Sequence, residues 1–500
     1  VSARVGVAVS SAIAGRLRRS RQRLAADPSR VVTMFFVPGQ EGFDLEEPRT
    51  SAVVARILAL DDSEVGQSLD DLTARFGRRH RDLIGTFRQH ADELADRLGA
   101  ECKLSEERLL LLGATFTSEY ALEGAALCNP SMVAHPDQTG VSEGSLRFVM
   151  SVRAIGEGHR SSIEFRTGTV DDRGEVDIDL APRFSTRGVT RPAPLDAVVF
   201  RSELRRLRSD GESADYVLDA LGDTFTLAEL EERLTRLQAQ LATRRQDLSI
   251  ISLMRRIAER TYDISFPAGT SLAERVLLPA MAAERNGMED ARFVPFEREG
   301  QTVSYFATYT AYDGVEIAQQ LLETKDFRDF RASPIVNRAS NKGLALFPRQ
   351  VGGRFAALSR SDHETNTVVF SDNIHIWEDA LPYQVPTQTW EVLQLGNCGS
   401  PIETEAGWLV LTHGVGPMRT YRIGAILLDL EDPTRIIGQL RQPLLSPEPD
   451  EQDGYVPNVV YSCGSLVHMG ILVLPYGIGD SAIGVATMSL PALLSDLVAS

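Results

Sequence analysis

Two adjacent carboxylates and a guanidinium, Glu289, Asp290 and Arg292, stand in the stretch Asn286-Gly287-Met288-Glu289-Asp290-Ala291-Arg292-Phe293-Val294-Pro295-Phe296. An acid with a cation so near can deliver a proton to a leaving group and hold a polar substrate, which is the work of general acid catalysis. The glycine ahead and the alternating Phe293, Val294 and Phe296 behind read as the entrance of a β-strand. Neighbours on an extended chain point to opposite sides, so the two carboxylates are expected to divide the work. One does chemistry while the other holds the loop or a substrate hydroxyl. The plain alternative is a solvated turn with a local Asp–Arg pair.

Positioning such a site falls to a recurring element, an apolar-aromatic strand with a polar end. Copies run over 146–153, 305–314, 354–362, 408–415 and 472–480. The last four are spaced by about 50 to 65 residues, the size of one four-stranded propeller blade. Five copies predict a mainly β fold, a five-bladed β-propeller, with a β-sandwich as the alternative. Each copy carries a residue fit for a shared axial pocket: Arg153, Tyr309, Arg360, His413 and Asp480. Each has a plainer reading too. Arg153 and Arg360 can pair with Glu164 or Asp362, His413 can be a core histidine, and Asp480 can cap a turn.

Helical patterns interrupt the strands. A short strand over 31–37, ended by Pro38-Gly39, is expected to dock on a sheet made later in the chain. From Ser51 to about Leu112 apolar residues recur at helical spacing, with Ser68 and Ser105 as caps. Between Leu195 and Arg260 the pattern returns. Thr226 and Glu229 have capping-box spacing, and Leu227, Leu230, Leu234, Leu237 and Leu241 form a seam read as packing or self-association. The expected domains are a strand and helical extension over 1–115, a first blade over 116–200, a helical insertion over 201–262 and the remaining blades over 263–500.

The chain has 500 residues and a net charge of −17. With no long basic stripe, a nucleic-acid or anionic-membrane partner is not expected. No stretch reaches the ~20 apolar residues of a spanning helix. Val5 to Ala14 is apolar, but Arg16, Arg18 and Arg19 follow it, which disfavours a signal peptide. Cys102, Cys128, Cys398 and Cys463 show no metal-ligand spacing and read as free thiols of a reducing, cytoplasmic compartment. Only three of the 52 basic residues are lysines, which singles out Lys342.

Four pieces, in order, resemble glycoside hydrolase family 130, the inverting β-mannoside phosphorylases and related β-mannosidases on a five-bladed propeller. They are Gly287-Met288-Glu289-Asp290-Ala291-Arg292; Asn341-Lys342-Gly343-Leu344-Ala345-Leu346-Phe347-Pro348; 407–415 with Tyr421-Arg422-Ile423-Gly424-Ala425; and Val456-Pro457-Asn458-Val459-Val460 with Tyr476-Gly477-Ile478-Gly479-Asp480. The resemblance covers roughly 127–490, apart from the helical insertion.

It implies Asp290 as the general acid, acting through the mannosyl 3-hydroxyl, with inorganic phosphate as nucleophile from the opposite face and mannose 1-phosphate as product. It implies phosphate binding by His413 and Tyr421, with Arg360 as guanidinium partner and Lys342 adding charge. Asn129, Arg153 and Asp480 match positions that hold the mannosyl unit, and Glu289, Arg292 and Tyr309 join them as substrate-side candidates. No metal and no cofactor beyond the phosphate co-substrate is implied; the partner is a manno-oligosaccharide or other mannosyl sugar.

Two departures stand out. Ala291 replaces the motif's usual proline, and Gln394 stands where phosphorolytic members often carry a lysine, with Arg419 as a replacement cation. The alternatives are a β-mannoside hydrolase or mannosyltransferase, with Glu403, Glu405 or Asp362 opposite Asp290, or a non-catalytic glycan-binding propeller.

Overall fold

Each of the five recurring strands is the second strand of an antiparallel meander in the computed structural model, which describes residues 16–37, 48–98, 104–244, 248–297, 303–337, 342–360 and 362–499. Val5 to Ala14, Pro38-Gly39, Cys102 and Asn341 lie outside the described residues. Sheet I contains Ala126–Ala134, Leu146–Ile155, Ser161–Val170 and Val176–Ile178. Sheet II contains Gly287–Phe296, Ser304–Tyr312, Ile317–Thr324 and Asp329–Pro334. Sheet III contains Ala345–Leu346, Phe355–Ser359, Asn366–Ser371 and Leu381–Gln384. Sheet IV contains Gln394–Asn397, Gly407–Val415, Tyr421–Leu428 and Ile436–Gln439. Sheet V contains Val460–Tyr461, Ile471–Ile478 and Ala482–Ser489.

These strands are buried on both faces, which is why they read as nearly continuous apolar runs rather than as clean alternation. Successive side chains feed different cores. In sheet IV, Trp408 and Val410 pack with Phe347 and Leu358 of sheet III, whereas Leu409 and Leu411 pack with Leu472 and Leu474 of sheet V. Val473, between those two leucines, packs instead with Leu127, Phe148 and Met150 of sheet I. Further cores join sheet I to sheet II around Phe165 and Phe293, and sheet II to sheet III around Phe306 and Leu346.

The outer position of sheet V is filled from far away in sequence. Arg18–Arg19 and Leu24–Ala25 pair with Ala482–Ser489, Arg18 opposite Thr487 and Leu24 opposite Ile483. Residues 18–25, expected to belong to the 1–115 extension, are therefore part of the β-fold. Backbone pairing between distant segments leaves no local signature.

A separate compact unit comprises Asp27–Gly124 with Pro182–Thr186. It holds α1 (Pro48–Leu58), α2 (Asp62–Phe76), α3 (Leu83–Leu98) and α4 (Glu106–Thr115) around Val65, Phe87, Leu94 and Phe116. Val31–Phe35 pairs with Thr117–Ala121, and Arg30 meets Glu123 at 2.8 Å in its interior. Ser105 caps α4, as expected. Ser68 does not cap; it lies within α2 with its hydroxyl on the Glu64 carbonyl, because Asp61 and Glu64 form the box that starts this helix.

The insertion supplies α5 (Ala197–Arg206), α6 (Glu212–Leu218), α7 (Leu227–Arg244) and α8 (Ser249–Ala258). Thr226 and Glu229 form the expected box at the start of α7. The leucine seam is not an exposed association surface. Leu230, Leu234, Leu237 and Leu241 are buried against Phe200, Val217, Met254 and Ile257 of the same insertion, because its own helices supply the apolar partners. The insertion is tied to sheet II by the buried Arg260, which donates to Glu203 at 2.5 Å, to Gln320 at 3.0 Å and to the Gln319 carbonyl at 3.0 Å.

Candidate functional site

The Gly287–Phe296 strand does not run as a regular ladder. Its register against Ser304–Tyr312 shifts between Glu289 and Arg292, and Asp290 adopts a left-handed backbone with φ 55°. A bulge of this kind re-aims side chains. It overturns the expectation that Glu289 and Asp290 face apart: Arg153 lies 2.6 Å from Glu289 and 3.8 Å from Asp290. The entrance is set by Gly287, φ 145°, where a Cβ would lie 2.8 Å from the Ser161 backbone nitrogen. Ser161 in turn accepts from Arg153 Nε at 2.9 Å.

The neighbouring inner strand is bent in the same way. Asn129 sits at a register shift between Cys128 and Ser131 with φ 49°, and its amide donates to Asp290. Lys342 reaches Glu289 at 2.5 Å and lies 6.0 Å from the centre of the Tyr312 ring. Glu289 is thus held between two cations. Burial pushes the Asp290 carboxyl up, but Arg153, Arg292, Lys342 and the Asn129 amide outweigh it and hold it below the usual range. Asp290 is ionised at neutral pH in the free site. Arg292 is buried, donates to the Tyr461 hydroxyl at 2.7 Å, and leaves its Nε without a hydrogen-bond partner among the described residues.

A second group gathers beside it. His413 is 3% exposed, with Nδ1 at 3.2 Å from the Asn397 carbonyl and Nε2 at 3.4 Å from Arg360. Its ring lies parallel to Tyr421 at 6.0 Å and edge-on to Tyr461 at 4.9 Å. Burial, Arg360 and Arg292 drive its pKa down to about 3. The Gln394 amide is 3.5 Å from the Tyr421 hydroxyl. Asp480, on the turn after Ile471–Ile478 with φ 49°, has a carboxyl pushed up to about 6 by burial and by Asp290, against the pull of Arg153 and Arg419. Arg419 is exposed, in a turn with φ 52°.

Tyr309 is not brought to this cluster. Its hydroxyl donates to the buried Glu284, which also accepts from Tyr262 at 2.9 Å, and its ring belongs to the core of sheets I and II. The polar end of that strand copy satisfies an interior carboxyl. Tyr461 and Asn397 were not singled out from sequence; both lie on short strands with no periodic signal.

The candidate second carboxylates are committed elsewhere or exposed. Glu403 pairs with Arg349 at 2.5 Å, Asp362 accepts from the Glu364 and Thr365 backbone at 3.0 and 2.8 Å, and Glu405 is exposed. Cys128, Cys398 and Cys463 are free and buried. Among the described residues, no group of His, Cys, Asp or Glu is arranged to hold a metal, and no helix is long and apolar enough to cross a membrane.

Comparison with known proteins adds relatives to this geometry. A family model described as β-1,4-mannooligosaccharide phosphorylase, glycoside hydrolase family 130, matches residues 257–498. A 1,2-β-oligomannan phosphorylase of Thermoanaerobacter sp. (strain X514) is 35% identical over 41% of this chain and 70% of its own length. A β-1,2-mannobiose phosphorylase of the same organism is 32% identical over 43% of this chain and 70% of its own length. The solved β-1,2-mannobiose phosphorylase of Listeria innocua superposes with a TM-score of 0.45 at 19% identity, over 76% of this chain and 94% of that one.

Proposed function

Because the chain belongs to glycoside hydrolase family 130, we propose that it is a β-mannoside phosphorylase, cleaving a β-mannosidic bond with inorganic phosphate and inversion to release mannose 1-phosphate. The observation that carries this reading is Asp290, a carboxylate turned by a bulge into a setting of Asn129, Arg153, Arg292 and Lys342.

In this reading Asp290 is the general acid, working through a sugar hydroxyl. The free site holds Asp290 ionised, so its proton must come with the substrates. A phosphate dianion placed among the same cations offsets their charge and raises the proton affinity of Asp290. Arg360, His413 and Tyr421 bind that phosphate, with Arg419 at the rim and Lys342 contributing charge. Asn129, Arg153, Glu289, Arg292 and Asp480 hold the mannosyl unit. Burying a dianion needs such charge-assisted donors, since it is costly without them.

We read sheets I to V as the blades of a five-bladed propeller around this site. In support, consecutive sheets share cores and sheet V shares one with sheet I. The buried free thiols agree with a cytoplasmic setting, which belongs to the same proposal.

The test is initial rate against phosphate concentration with β-1,2- and β-1,4-mannobiose, following mannose and mannose 1-phosphate separately. Mannose 1-phosphate formation that saturates with phosphate is expected, and Arg360→Ala should raise KM for phosphate far more than KM for the sugar. Free mannose released at a phosphate-independent rate overturns the reading in favour of hydrolysis.

A further inference from the structure

We infer that Tyr309 is a positioning residue for Asp290: it is the one residue facing the two-residue bulge that turns this carboxyl into the site, and the buried Glu284 pins it from behind. The inference rests on the reading of Asp290 as general acid, but the pinning itself is a property of the protein alone.

The register places Tyr309 there. Glu289 lies opposite Thr310 and Arg292 opposite Thr308, so Asp290 and Ala291 together face Tyr309. Two residues against one make a bulge, and the conformation of the pair depends on where the single residue across from it is held. Tyr309 has little freedom. It is buried, its ring lies in the core of sheets I and II, and its hydroxyl donates to Glu284. Burial, with Glu284 beside it, pushes the Tyr309 phenol well above its ordinary range, so the hydroxyl keeps the proton it donates.

Glu284 closes the turn Ala282–Glu284, three residues ahead of the strand that carries Asp290, and is wholly buried. It also accepts from the Ala280 N–H at 2.9 Å and from the Tyr262 hydroxyl at 2.9 Å. A buried carboxyl needs such donors. Here they tie the approach to the bulged strand to the residue across from its bulge, and just past the turn the Asn286 N–H donates to the Tyr312 carbonyl at 2.9 Å.

Other sheets of the same chain supply the comparison. In sheet IV, Glu391 ends the turn Thr389–Glu391, again wholly buried and three residues ahead of the first strand. Thr412 stands in the register of Tyr309 there, three residues before the partner of the residue that opens the strand. Glu391 Oε2 is left without a hydrogen-bond partner among the described residues, and the ladder runs unbroken from Gln394 opposite Val415 to Asn397 opposite Thr412. In sheet V, Tyr476 donates to the wholly buried Glu451 at 2.7 Å, and pairing stops at Tyr461 opposite Gly477, the residue next to Tyr476. A tyrosine on a buried glutamate goes with a ladder broken beside it, and its absence goes with a regular ladder. Sheet I reaches its own bulge by another route, through Pro130, which has no N–H to give.

Tyr309→Phe and Tyr262→Phe test this as a pair. Each removes one hydroxyl from the same carboxyl, so the two should lose similar stability in urea while differing in turnover. Tyr309→Phe is expected to lower kcat about tenfold with both KM values within about twofold of wild type, because a misaimed acid fails in the transition state while the binding groups stay. Tyr262→Phe is expected to keep kcat within about twofold. Amide hydrogen exchange of the full chain should rise at Glu289 to Arg292 in the first variant and not in the second. Unchanged kcat in folded Tyr309→Phe, an equal fall in both variants, or unchanged exchange at the bulge overturns the inference. Should Tyr309→Phe fail to fold, Glu284→Gln keeps an oxygen for both hydroxyls and is expected to hold kcat within about threefold; a fall of about tenfold would place the effect in the turn and overturn the inference equally. Full turnover in Asp290→Asn would overturn the acid assignment, with the exchange result, read without turnover, still testing the pinning. Phosphate-independent mannose release would overturn phosphorolysis alone, since kcat of either reaction reads the acid.

Discussion

Asn129 and Asp290 meet side chain to side chain, each in left-handed backbone, φ 49° and 55°, and each at a break in the ladder of its own sheet. Non-glycine residues seldom adopt this conformation, and two of them touching at one site mark a position where backbone strain is spent on aim. The amide fixes one oxygen of the carboxylate, and Arg153 stands beside it. What remains is a carboxyl with a defined orientation toward the cluster.

Asp290→Asn is therefore expected to abolish turnover while leaving the fold intact. The substituted amide still offers an oxygen to Asn129 but delivers no proton at neutral pH. The loss should be about 10²-fold or more in kcat, the usual weight of a positioned general acid. Steady-state kinetics together with a melting curve check this, and near-wild-type turnover in a folded variant would move the acid to another residue.

Asp480 should make stability depend on pH. Its folded pKa of about 6 lies above the ordinary 3.8, so its contribution is fully present below the unfolded value and is lost as pH rises through the folded one. The loss between pH 4 and 7 is about 2 to 3 kcal/mol at most. Asp480→Asn removes it. The variant should match wild type in urea unfolding at pH 4 and exceed it at pH 8. Equal stability at both pH values would show that Arg153 and Arg419 already compensate the charge.

Arg260→Ala should loosen the helical insertion. Glu203 keeps Arg206 at 2.8 Å but loses its buried partner, and the Gln319 carbonyl loses one of its donors while keeping the Ile335 N–H at 3.1 Å. Removing one member of a buried pair costs about 3 kcal/mol or more. Hydrogen exchange should rise first in Ala197–Arg206 and Ser249–Ala258, with the sheets still protected. Unchanged exchange there would show that apolar packing alone carries the attachment.

Leu234→Ala tests whether the leucine seam is interior. Full burial predicts a loss of about 2 to 5 kcal/mol in denaturant unfolding, with the mass measured by light scattering unchanged. A fall in mass with unchanged stability would restore the seam as a surface between copies.

The five central strands and the helical segments were legible because their apolar periodicities are local. Asp290 and His413 were legible through the motifs that contain them, Arg153 and Arg360 through the polar ends of the recurring strands, and Asn129 through the family resemblance. The bulges were not, since a register shift belongs to two strands and neither encodes it alone. Tyr309 looked equivalent to its counterparts at the ends of other copies, yet Glu284, from a short turn with no pattern of its own, claims its hydroxyl inside the core. The role of Gly396 is likewise invisible in one dimension: a Cβ there would lie 2.1 Å from the His413 ring carbon Cε1, so its meaning is the space that this ring occupies.

The pairing of Arg18–Arg19 and Leu24–Ala25 with Ala482–Ser489 has a consequence for how the molecule is made. A contact spanning nearly the whole chain closes late, and long-range closure slows folding. During synthesis the first of these segments waits unpaired until the last has left the ribosome. Until they meet, Ala482–Ser489 presents a bare ladder of amides and carbonyls, an edge that other chains can join. Residues 16–26 act as the protein's own blocking strand, and a shortened chain that starts beyond them should be lost to aggregation before it is lost to inactivity.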